Sequence, residues 1–183
     1  MKPLLLLLTL LILSTSLSLA DGIKGKPAPH LEVDEWVSLP EGQEKGPKLA
    51  DLKGKVIYLY CFQSWCPGCH SLGFPTLQAM IKEFRDDPDV RFVAVQTVFE
   101  GFGTNTPEAA RKIVERYKLE SIPVGQSGAK GTRSKIMADY RTRGTPWTVI
   151  IAPDGTVNYN DFHIEPDAAA KLIRSLKTTA KPE

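Results

Sequence analysis

The segment CFQSWCPGCH, residues 61–70, holds all three cysteines of this 183-residue chain. Cys66 and Cys69 form a C-x-x-C around Pro67 and Gly68, and His70 follows directly. Three chemistries use such a pair. Structural zinc takes four ligands, commonly two C-x-x-C-like pairs. Here there is one pair, and adjacent Cys69 and His70 do not easily both point at one ion from a helix start. A copper site would need a distant histidine, His30 or His163. A purely structural disulfide between residues three apart closes a very small loop and removes little chain entropy. Disulfide exchange needs a thiolate and a second thiol within reach of the mixed disulfide it forms.

The elements around the pair favour exchange. VIYLYCF, 56–62, is β-branched and aromatic throughout and reads as a strand buried on both faces. HSLGFPTLQAMIKEFRDD then places Leu72, Leu77, Met80, Ile81 and Phe84 at helical spacing, with Pro75 as a kink. Cys66 therefore sits at a strand-to-helix junction. Unpaired N–H groups and the macrodipole at a helix start favour an anion. No Asp or Glu occurs between Val56 and Lys82, and His70 stands ready to assist a thiolate.

The rest of the chain supplies a scaffold. Residues 21–54 are rich in Gly, Pro and charge and read as an irregular lead-in with a short hairpin edge around Glu32–Leu39. A second strand is predicted over 90–99. A helix follows, with Thr106 as cap, Pro107 at its first position and Ala110, Ile113, Val114 and Tyr117 on its apolar face. Residues 121–132 read as a loop, and RSKIMADY as a short helix. TPWTVIIA, 145–152, reads as a third strand, which PDG turns into a hairpin partner, TVNYN. A helix over 165–177 closes the chain, with Leu172, Ile173 and Leu176 inward. Alternating strands and helices predict an α/β fold, parallel pairing first and an antiparallel hairpin last.

The chain opens MKPLLLLLTLLILSTSLSLADG, a lone Lys2 before an apolar run and a small-residue stretch ending Ser-Leu-Ala. This reads as a secretory signal peptide over 1–20, cleaved after Ala20, with an uncleaved anchor as the alternative. Residues 21–183 then form one domain in an oxidising space. A net charge of +2, with no basic run interleaved with aromatics, gives no nucleic-acid signal. Three cysteines in a chain of this size do not make a disulfide-stapled miniprotein.

KGKVIYLYCFQSWCPGCH resembles the active-site strand of the thioredoxin superfamily. With GKPAPHLEV and LADLKGK upstream, the chain is similar to the exported TlpA/ResA-like thiol–disulfide oxidoreductases over about 25–177. The resemblance implies a thioredoxin fold, a central mixed sheet flanked by helices, with an inserted strand–helix segment at 90–119. It implies Cys66 as the exposed nucleophile and Cys69 as the buried resolving thiol. Trp65 and Pro67 would flank the site. RGTPWTVIIAPDG resembles the family's cis-proline loop, with Thr145 offering its backbone to a substrate peptide and Pro146 against the disulfide. The partners implied are protein thiols or disulfides and a redox partner protein. No metal is expected, and no cofactor beyond the redox-active disulfide Cys66–Cys69.

The chain departs from this pattern in several places. Thioredoxins carry a buried acid six residues before the first cysteine, where Tyr60 stands. Some relatives carry a Glu where Leu72 stands. The helix proline comes one residue late, at Pro75. The base for Cys69 is thus unassigned, with Glu100 and Asp139 as distant candidates, and Cys61 reads as a small buried hydrophobe. Two rivals remain. A peroxiredoxin-like peroxidase would have Thr or Ser where Gln63 stands. A copper-delivering relative would use C-x-x-x-C, one residue longer than this pair.

Overall fold

The computed structural model describes residues 22–129 and 131–179. The segment 1–20, expected to be a signal peptide, lies outside the described residues. Six strands form one mixed sheet: β1 Glu35–Ser38, β2 Val56–Phe62, β3 Val90–Thr97, β4 Val124–Ser127, β5 Trp147–Ile151 and β6 Val157–Asp161. Their order is β1-β4-β3-β2-β5-β6. β2 lies parallel to β3 and antiparallel to β5, so the strand that delivers the cysteines is central. Its continuous apolar run follows from that position, because both of its faces are covered.

Alternation along β2 divides the core. Tyr58, Tyr60 and Phe62 face three helices, α1 Phe74–Glu83, α2 Pro107–Tyr117 and α4 Pro166–Thr179. Ile57, Leu59 and Cys61 face the other way, against Ile136 and Tyr140 of α3 Lys135–Tyr140 and against the lead-in, which adds Leu31, Val33 and Trp36. The thioredoxin fold inferred from sequence, with its β3–α2 segment in mid-domain, is the fold found.

Four expectations need adjustment. The lead-in makes no hairpin of its own: β1 pairs antiparallel with β4, distant in sequence. The predicted loop 121–132 contains β4. Gly125 hides that strand in the sequence, and the packing requires it, because a Cβ there would crowd Val33 and Trp36. The strand predicted over 90–99 ends at Thr97. Pro75, expected as a kink, lies within the helical run that begins at Pro67, and the local irregularity is a π turn at Cys69–Gly73 just before it. A π turn takes one residue more than an α turn. It absorbs the one-residue delay of Pro75 relative to the thioredoxin pattern.

α2 starts as its sequence specifies. Thr106 Oγ1 accepts from Ala109 N–H at 3.2 Å, and Pro107 occupies a position whose N–H has no partner in a helix.

Candidate active site

β2 ends at Phe62, and the chain turns through Gln63–Trp65 before the helical residues begin at Pro67. Cys66 therefore occupies the N-cap position, where an acceptor side chain satisfies a free amide of the first turn. Its sulfur does this: Cys69 N–H donates to Cys66 Sγ at 3.3 Å. The Cys66 thiol in turn donates to the Thr145 carbonyl at 3.4 Å. Cys66 N–H donates to Gln63 C=O at 3.1 Å and closes the turn.

Cys66 is less exposed than the resemblance implied. It retains 6% of its surface against 0% for Cys69, because its thiol is turned under the Thr145–Pro146 segment. The order of accessibility, Cys66 before Cys69, is the one expected. The Thr145–Pro146 peptide is cis. Pro146 packs over Gly68, where a Cβ would stand 3.1 Å from its Cδ, so glycine between the cysteines lets the loop approach. Pro67 is exposed, and Thr145 and Pro146 are half-buried. Burial pushes the Cys69 thiol up to about 12, and the neighbouring Cys66 adds to the shift.

His70 has a different task from the one expected. Its Nε2 lies 2.7 Å from the Ser64 carbonyl and its Nδ1 2.7 Å from the Tyr117 hydroxyl. A carbonyl only accepts, so Nε2 carries a proton and Nδ1 faces the phenol. The imidazole ties the turn before Cys66 to α2 rather than assisting either thiol. The other sequence candidates lie elsewhere. His163 pairs with Glu165 at 3.4 Å, and His30 lines a cleft with Ile57, Ile151 and Asp154. Asp139 pairs with Lys135 at 2.6 Å, and Glu100 is exposed. Neither acid is among the groups acting on Cys69.

Sequence reasoning missed a buried amide network under the active-site turn. Gln96 of β3 accepts from Ser64 N–H at 3.0 Å and from the Ser64 hydroxyl. Its amide donates to Gln126 Oε1 of β4 at 2.6 Å, and Gln126 donates to the Asn105 and Gly128 carbonyls. Asn105 Oδ1 also accepts from Ser64 N–H, at 3.0 Å. Gln63 donates to the Thr97 carbonyl at 3.2 Å. The network joins the ends of β3 and β4 to the turn and fixes the loop that carries Gly101, against which the Trp65 indole rests. Trp65 itself is 49% exposed beside Cys66. Polar residues within strand runs at 96 and 126 are the one signal in the sequence.

A family model for a thioredoxin-like domain matches residues 44–162. The crystal structure of a thioredoxin-like superfamily protein superposes with a TM-score of 0.75 at 31% identity, over 85% of this chain and 99% of that one. A thiol-disulfide isomerase from Corynebacterium glutamicum gives a TM-score of 0.70 at 29% identity, over 82% and 97%. Probable nucleoredoxin 2 of Oryza sativa subsp. japonica is 26% identical over 135 residues, 74% of this chain and 30% of that protein. The chain thus spans less than a third of the length of this curated relative.

Proposed function

The chain belongs to the thioredoxin-like family, and on that premise we propose that it is an exported thiol–disulfide oxidoreductase exchanging disulfides with protein substrates through Cys66 and Cys69. One observation carries the reading: the Cys66 sulfur caps the helix and accepts the Cys69 amide. That placement supplies a hydrogen bond and the positive end of the helix to a thiolate.

In the reducing direction the Cys66 thiolate attacks one sulfur of a substrate disulfide. The substrate S–S bond breaks, and the first substrate thiolate leaves and takes the proton of Cys69. The Cys69 thiolate then attacks Cys66 Sγ, which breaks the mixed disulfide and forms Cys66–Cys69. The second substrate thiolate leaves and is protonated by solvent. Two electrons have passed from the dithiol to the substrate, and the reverse sequence oxidises a substrate dithiol. In this reading Trp65, Pro67 and Pro146 flank the reacting sulfur, and the Thr145 backbone meets an extended substrate peptide. The export reading rests on the pattern of residues 1–20.

Reduction of insulin disulfides by dithiothreitol, with and without the protein, tests the activity. The protein should accelerate it, and Cys66→Ser should abolish the acceleration. Equal rates for wild type and Cys66→Ser would refute the reading.

A further inference from the structure

Tyr60 is a fully buried tyrosine whose hydroxyl has no hydrogen-bond partner in the resting dithiol. A buried hydroxyl without a partner is a cost to the fold, and native proteins keep few of them. Its position is closely determined. The ring stacks on Phe62, with centroids 6.1 Å apart, and meets the edge of Phe74 at 5.3 Å. The oxygen occupies the space that a Cβ on residue 73 would need, so glycine at 73 admits it. Gly73 and Cys69 are the two ends of the same π turn. The hydroxyl is thereby delivered beneath that turn, beside the Cys69 thiol.

We propose that the Tyr60 hydroxyl is the hydrogen-bond donor that stabilises the Cys69 thiolate as it forms in the resolving step. The inference rests on the exchange reading of Cys66 and Cys69. Cys69 has no exposed surface, so its thiolate cannot draw on bulk water and needs donors from the protein. Two groups favour its charged form: the Gln63 backbone and the Tyr60 hydroxyl. Burial holds the Tyr60 phenol well above its ordinary range, so it remains protonated and donates rather than acting as a base. The Cys69 proton goes to the departing substrate thiolate. The hydroxyl keeps its own proton and turns it toward sulfur. The hydroxyl stands beside the thiol without a well-formed hydrogen bond in the dithiol, and its contact with the sulfur strengthens as Cys69 gains charge, which favours the step over the ground state.

The test uses the protein's own two thiols and needs no physiological substrate. Reduced protein mixed with 5,5′-dithiobis(2-nitrobenzoate) in a stopped-flow instrument should release nitrothiobenzoate in two phases. The first reports attack by Cys66, the second attack by Cys69 on the mixed disulfide. Tyr60→Phe removes one unpartnered oxygen and keeps the ring, so it should melt no lower than wild type. Its first phase should be unchanged. Its second phase should slow about tenfold, as for loss of a hydrogen bond to a charged group, and should need higher pH to recover. Tyr58→Phe, on the same strand face, should leave both phases unchanged. A second phase in Tyr60→Phe equal to that of wild type, or two phases slowed alike, would overturn the proposal. A wild type showing no second phase would instead bring down the exchange reading, and this inference with it.

Discussion

The backbone N–H of Cys69 donates to the sulfur of Cys66 at 3.3 Å, so each cysteine has a part in the other's chemistry. The amide of one holds the sulfur of the other at the helix start. The thiol of Cys69 remains buried behind it, with its proton held tightly. On the proposed exchange reading, attack on an outside disulfide falls to Cys66 and closure to Cys69.

Trapping distinguishes these roles. Cys69→Ser should accumulate mixed disulfides with substrate proteins, because nothing remains to resolve them. Cys66→Ser should accumulate few. Non-reducing gels of each variant after incubation with oxidised substrate provide the measurement. Equal trapping by the two variants would contradict the assignment.

Alkaline pH should destabilise the reduced protein. Burial raises Cys69 from an ordinary 9.0 to about 12. Between these values the unfolded chain has lost the thiol proton and the folded chain still holds it. Deprotonation therefore favours unfolding, and stability is full below about pH 9 and declines as pH rises toward 12. At pH 10 the Cys69 contribution is about 1.4 kcal/mol. Burial pushes Cys61 in the same direction. Denaturant melts at pH 7 and pH 10 should show the loss. The disulfide form should lose less, since Cys69 then has no proton to give. Identical pH dependence for the two forms would rule out this origin.

Cys61 should be dispensable for turnover. Its side chain lies on the opposite face of β2 from Tyr60, packed with Val95 and Trp147. Cys61→Ala should keep disulfide exchange at wild-type rate and lower stability by about 1–2 kcal/mol through the lost sulfur. A folded Cys61→Ala protein with most of its activity gone would show that the third thiol takes part.

Gln96→Leu should damage both stability and the site. The change leaves Gln126 Oε1 without its donor and releases the Ser64 hydroxyl. Stranding buried polar groups should cost about 2–3 kcal/mol, read from urea melts. The Trp65 turn should loosen, so reaction at Cys66 should slow as well. A variant as stable as wild type would deny the network its structural role.

What the sequence disclosed and what it withheld divide along physical lines. The apolar run of β2, the cap of α2 and the C-x-x-C at the junction are local patterns, and they appear where the sequence places them. The short edge expected around Glu32–Leu39 is β1, but its partner β4 escaped because it is short, because the two pair across about half of the chain, and because Gly125 answers to Val33 and Trp36 rather than to strand propensity. His70 was misread because sequence proximity to Cys69 says nothing of Tyr117, which a different helix brings to its ring. Tyr60 was visible only as the absence of an expected acid. That its oxygen lies beside Cys69 is a fact of packing.

The redox poise follows from the charges that the site lacks. Stabilising a thiolate stabilises the reduced form and makes the disulfide a stronger oxidant. The Cys69 amide and the helix start favour negative charge on Cys66 Sγ. No carboxylate is among the groups acting on Cys69, and the two acids that stood as candidates are exposed or paired with Lys135. A neutral phenol stands where thioredoxins carry a buried acid, so no second negative charge opposes the thiolate. His70 contributes nothing directly, since its nitrogens face Ser64 and Tyr117. The reduction potential of the Cys66–Cys69 couple should therefore be less negative than the thioredoxin value of about −270 mV, by an amount in which each ~30 mV corresponds to about 1.4 kcal/mol. Equilibration against glutathione redox buffers, with the dithiol and disulfide forms separated after acid quench and alkylation, measures it. A potential at or below that of thioredoxin would mean that the amide and helix end do not outweigh the burial of the pair, and would mark the protein as a dedicated reductase.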